Sequence, residues 1–74
     1  MTLLKKVNLI IANKTDVVPD SIYSNKKSTV HIMFDNFSDY YKVSDIMKNS
    51  KTALAGCEIS GTFVDNIDLI IREV

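Results

Sequence analysis

One cysteine and one histidine are the only soft nucleophile and the only near-neutral base of the chain. Cys57 stands beside Glu58 in the stretch GCEISGTFVDN, and His31 lies on a separate apolar-alternating segment. A thiol, an imidazole and a carboxylate are the parts of a nucleophile–base pair. The local period argues against that use. Cys57 alternates in step with Ala55 and Ile59, which reads as a small core residue on a strand. His31 reads as a half-exposed strand residue suited to an interface.

Acidic residues cluster twice, as DNFSD at 35–39 and DNID at 65–68. Neither has the D-x-D-x-D-G spacing with a distal glutamate that a calcium loop needs. A helix cap and a turn account for them. One histidine and one cysteine are too few for a structural zinc site. No metal and no cofactor is read from this sequence.

NKKST at 25–29 is the better ligand candidate. Lys26 and Lys27 followed by two hydroxyl residues could hold phosphate oxygens, although the glycines of a phosphate loop are missing. Tyr40 and Tyr41 supply rings for stacking on a base. On a helix they point about 100° apart, so Tyr40 is assigned to the core and Tyr41 to the rim. A small nucleotide-like molecule is the ligand this pattern fits.

Those side chains need elements to hold them. Residues 5–13 alternate, with Val7, Leu9 and Ile11 on one face, and read as a strand. Residues 14–27 are polar, contain Pro19, and suit a bend or a sheet edge. Residues 28–35 are a second strand, with Val30, Ile32 and Phe34 opposite Thr29, His31 and Met33. At Asn36, an N-cap residue with Asp39 three positions on, the period changes to a helix. Its apolar side is Phe37, Tyr40, Val43, Ile46 and Met47, and it ends near Asn49 or Ser50. Residues 53–59 form a weaker strand, Ser60-Gly61 a hairpin turn, and 62–64 a short return. Asp65-Asn66 turns the chain into a last strand over 67–74.

The expected fold is therefore α+β. A mostly antiparallel sheet of four or five strands carries one helix on one face, in the order ββαββ(β). The 74 residues make one domain, 1–74. A single helix leaves the other sheet face bare. Ile10, Met33, Ile70 and Val74 would lie there beside Thr29, His31 and Arg72. An apolar patch of that kind calls for a partner. Met33, His31, Arg72 and Tyr41 thus join Lys26 and Lys27 as candidate binding residues. A homo-oligomer is expected, since one cysteine cannot make an internal disulfide and a chain this short needs help with stability.

Nine basic and nine acidic residues cancel, which speaks against general nucleic-acid binding. Residues 1–27 hold five lysines against two aspartates, and the rest of the chain is correspondingly acidic. No apolar run approaches the ~20 residues of a membrane span. With one unpaired thiol and lysines inside the first apolar segment, a cytoplasmic protein is expected.

Gly61, Phe63, Asn66 and Leu69 follow a helix and an apolar strand in a G-x-[YF]-x-N-x-x-L-like string, with one residue of slack. In this, the C-terminal half resembles small uncharacterised proteins encoded by phages and prophages of low-GC Gram-positive bacteria. The resemblance implies a phage-encoded accessory protein and carries no functional residue. The expectation is a non-enzymatic binding protein acting on a host factor. It would serve counter-defence, by blocking an immune protein or sequestering a small signalling ligand. The alternative is a virion component such as a tail-associated protein.

Overall fold

The computed structural model describes residues 1–26 and 28–74. It is α+β, with the order α1 (Leu3–Lys14), β1 (Ser21–Lys26), β2 (Thr29–Phe34), α2 (Phe37–Asn49), β3 (Cys57–Thr62) and β4 (Ile67–Glu73). The four strands form one antiparallel sheet in the order β1-β2-β4-β3. Among the described residues no helix is long and apolar enough to cross a membrane.

The first element corrects the sequence reading, because residues 5–13 lie in a helix and not a strand. Thr2 caps it, its Oγ1 accepting from the Lys5 amide at 3.2 Å. Leu3, Val7, Ile10 and Ile11 are buried, a spacing of four, seven and eight residues that puts them on one helical stripe. Leu9, placed in the core by alternation, is 43% exposed. The order is αββαββ, with two helices where the sequence reading has one in ββαββ(β).

Asn36 caps α2 as its type requires. Its Oδ1 accepts from the Asp39 amide at 2.8 Å, and Asp39 sits in the first turn. Tyr40, Val43 and Met47 are buried as expected, while Phe37 stays half exposed. Ser50 closes the helix, donating from Oγ to the Ile46 carbonyl at 2.7 Å. Gly56, at φ 79, takes the left-handed conformation that leads into β3.

The Ser60-Gly61 turn is a second correction. Both residues lie inside β3, Ser60 opposite Ile70 and Gly61 opposite Leu69. The chain reverses instead between Thr62 and Ile67, so there is no separate short strand at 62–64. Pro19 precedes β1, the edge strand formed by part of the polar 14–27 segment.

Val30, Ile32, Phe34, Leu69 and Ile71 share the sheet face that meets the buried residues of both helices in one core. α1 packs on β1 and β2, and α2 on β2, β3 and β4. The chain is thus two successive α-β-β units whose inner strands, β2 and β4, pair with each other. Exchanging the units leaves the strand order unchanged. Among the described residues no helix covers the far face of the sheet, an arrangement antiparallel sheets tolerate when that face is polar.

Candidate functional site

Register sets the uncovered face row by row. Tyr23, His31, Ile70 and Ser60 lie side by side across all four strands. The next row places Thr29 beside Arg72, and Arg72 beside Glu58. The row on the other side holds Ser21, Met33, Asp68 and Thr62. Between the first two rows is a shallow depression of about 380 Å³. Asn25, Lys26, Thr29, His31, Arg72 and Glu58 line it together with Ser60 and Ile70.

Each lining group is placed by local structure. The β1–β2 pairing slips between Ser24 and Lys26, a bulge that turns the strand end. Ser24 Oγ fastens the bulge by donating to the Thr29 carbonyl at 2.7 Å and to the Lys26 carbonyl. Asn25 Nδ2 lies 3.4 Å from His31 Nε2. The His31 ring stacks on Tyr23, with centroids 5.0 Å apart and planes 8° from parallel. Arg72 Nη2 donates to both Glu58 oxygens, at 3.2 and 2.9 Å. That pair is more than half exposed, so it orients the guanidinium more than it stabilises the fold. Among the described residues Lys26 has no carboxylate in salt-bridge range. Two cations, one anion and an imidazole therefore face one hollow, along with neutral donors, and Tyr23 stacks on the imidazole from outside the lining.

Of the candidate residues, Lys26, His31 and Arg72 come together in this depression. Met33 lies on the same face, one row away. Tyr41 does not join them, because it sits on α2 in the opposite layer, packed with Phe37 and Tyr40. Lys27 lies outside the described residues. The sequence reading looks to Tyr40 or Tyr41 for a stacking ring, but the ring beside His31 on this face is Tyr23. Its signal was its two-residue spacing from the NKKST segment, on the same face of an edge strand.

The apolar patch expected on this face is smaller than alternation implied. Ile10 lies on α1 and is buried in the core on the covered side, and Val74 lies beyond the end of β4. Met33 and Ile70 remain, both half-buried among polar neighbours.

Cys57 belongs to the other face, packed against the core with Ile59. The sheet separates it from His31, so the two do not form a dyad. Burial pushes the thiol up from its ordinary value, the Glu73 carboxylate adds to this, and Lys6 partly opposes it. A thiol held protonated is a poor nucleophile. The acids of DNFSD serve the helix cap, since Asn36 Nδ2 donates to Asp35 and Asp39 at 2.7 and 3.1 Å.

Comparison with protein-family models, curated proteins and solved structures returned no match.

Proposed function

We propose that this chain is a non-enzymatic binding protein that takes a small anionic ligand with a planar ring, a nucleotide-like molecule, on its uncovered sheet face. The observation that carries the reading is the convergence of Lys26, Arg72, Asn25, Thr29 and His31 on one depression beside the Tyr23 stack. Lys26 and Arg72 neutralise phosphate charge. Thr29 and Asn25 add neutral donors. A base extends the stack on the outer face of Tyr23, on the side away from His31. The role of the site in this reading is capture of the ligand.

The resemblance of the C-terminal half supports a setting in which capture removes a signalling nucleotide from a host defence. A virion component is the alternative purpose for the same fold. Self-association through the same face is a second reading, favoured by half-buried Met33 and Ile70.

Thermal shift and calorimetry against nucleoside mono-, di- and triphosphates test the proposal. A phosphate-dependent shift that Lys26→Ala and Tyr23→Ala each weaken supports it. No shift with any nucleotide overturns it. Sedimentation across a concentration range separates the second reading, which a monomer at high concentration excludes.

A further inference from the structure

The two outer strands of the sheet differ in how their free edges are protected. β1 and β3 each pair on one side only. β1 is blunted: Pro19 precedes it, its pairing slips between Ser24 and Lys26, and Lys26 closes it. Proline, bulges and lysine are the devices by which an edge strand turns a further strand away. β3 has none of them. Its six residues, Cys57–Thr62, run in unbroken register with β4 and include no proline and no lysine.

The ladder shows which backbone groups β3 presents outward. The Val74 amide donates to the Gly56 carbonyl at 3.0 Å, one step beyond the Cys57–Glu73 pair. Hydrogen-bonded positions alternate along an antiparallel pair. Gly56, Glu58, Ser60 and Thr62 therefore turn their backbone groups to β4, and Cys57, Ile59 and Gly61 turn theirs away from the sheet. The Cys57 amide is already used, donating to the Leu54 carbonyl at 3.1 Å. The amides and carbonyls of Ile59 and Gly61 point to where a next strand would lie.

We infer that β3 pairs antiparallel with β3 of a second copy, about a two-fold axis beside Ser60. The outward groups choose the register. An axis at Ser60 sets Ile59 opposite Gly61 of the second copy, and the two residues exchange all four of their outward groups. An axis at Ile59 sets Gly61 opposite Cys57, whose amide is taken, and leaves the Gly61 carbonyl unpaired.

The side chains agree with the first register. Ile59 is half-buried and faces the helix layer. It comes to lie beside Gly61 of the second copy, where the half-exposed Phe63 ring folds back to 3.0 Å from the position of a Gly61 Cβ. Glu58, the only charge of β3, meets Thr62 of the second copy, so no like charges stand opposite each other. Two four-stranded sheets become one of eight, and the blunted β1 edges stop it there. The two depressions, which reach β3 at Glu58 and Ser60, adjoin across the axis on one face. The pairing uses the sheet edge and not the face carrying Met33 and Ile70, and it stands whether or not the depression takes a nucleotide.

Sedimentation equilibrium should find a dimer. Ser60→Lys opposes two ammonium groups at the axis and should raise the dissociation constant about tenfold or more, while Ser60→Thr keeps the dimer. Ser60 is exposed, so circular dichroism at low concentration should find both variants folded like the parent. Oxidation of Ser60→Cys in a Cys57→Ser background should give a disulfide-linked dimer, because opposed residues of a non-hydrogen-bonded pair bring their Cα atoms to about 4.5 Å. Glu58→Cys and Thr62→Cys in that background should each stay unlinked alone and join when mixed. A monomer at high concentration overturns the inference and leaves the edge to a strand of another protein. A dimer that Met33→Ser dissolves and Ser60→Lys does not also overturns it, by placing the interface on the sheet face. So does a Glu58→Cys protein that links by itself as fully as Ser60→Cys.

Discussion

Gly61 lies directly beneath the Tyr40 ring. A Cβ placed on Gly61 would come 3.1 Å from Tyr40 Cζ and 3.0 Å from Phe63 Cζ, and closer still to the Tyr40 hydroxyl. The glycine is there because β3 turns that position toward α2, where a buried tyrosine already fills the space. Gly61→Ala should cost about 1–3 kcal/mol as an overpacked site, and Gly61→Val more. Urea denaturation measures it. A neutral Gly61→Ala would mean that Tyr40 moves aside freely.

Gly56 makes the contrasting case. No heavy atom lies within 4 Å of a Cβ built there, but its φ is +79. Gly56→Ala therefore meets conformational strain alone, about 1–2 kcal/mol, and Gly56→Asn should lose less. If asparagine were as costly as alanine, strain would not be the cause.

β2, β4 and α2 were legible because their signals agree. In β2, alternation, β-branching and flanking polar residues all point one way, and Asn36 marks the change of period. The first element was not legible, because its residues satisfy two periods. Val7, Leu9 and Ile11 alternate, while Leu3, Val7, Ile10 and Ile11 make a helical stripe. The cap at Thr2 and the burial of Leu3 decide between them. Gly61 misled for a related reason: a glycine admits a turn, but here it admits a neighbouring ring. Strand parity places His31 and Arg72 on one surface, while Lys26 enters the reading only through the NKKST run. That Tyr23 joins them depended on β1 pairing with β2, a long-range fact that polar residues 14–27 do not announce.

Two substitutions in α1 separate the periods experimentally. Ile10→Ala should cost about 2–4 kcal/mol, as an isoleucine leaving a core does. Leu9→Ala, at an exposed position, should cost under about 1 kcal/mol. A strand over 5–13 requires the reverse order, so equilibrium unfolding of the pair decides it.

Cys57 should react slowly. Its thiol is raised by burial first and by Glu73 second, so less thiolate is present at mildly alkaline pH than in an unfolded chain. Alkylation should run slower than for an unstructured peptide thiol, in step with the smaller thiolate fraction. Glu73→Gln should speed it up by removing one cause. The folded thiol holds its proton more tightly than the unfolded one. This contribution to stability is therefore complete below the ordinary thiol pKa and is lost as pH rises through the raised value. Stability that grew across that alkaline window would contradict the assignment.

Glu58 restrains the sheet-face depression. It holds both contacts to Arg72 Nη2, and it is the one carboxylate among the lining residues. Glu58→Gln removes the anion and leaves the guanidinium to turn toward a ligand. The fold should hardly notice, losing under about 1 kcal/mol, because the pair is well exposed. A phosphate-bearing ligand should gain several-fold in affinity at low salt, and the gain should shrink as salt is added. Arg72→Gln in the same background should erase it. Calorimetry of the single and double variants at two salt concentrations reads all three effects. A Glu58→Gln protein that is stable and binds more weakly would show that the carboxylate positions the ligand and does not repel it. The depression would then be a site for a cationic or hydroxyl-rich molecule in place of an anionic one.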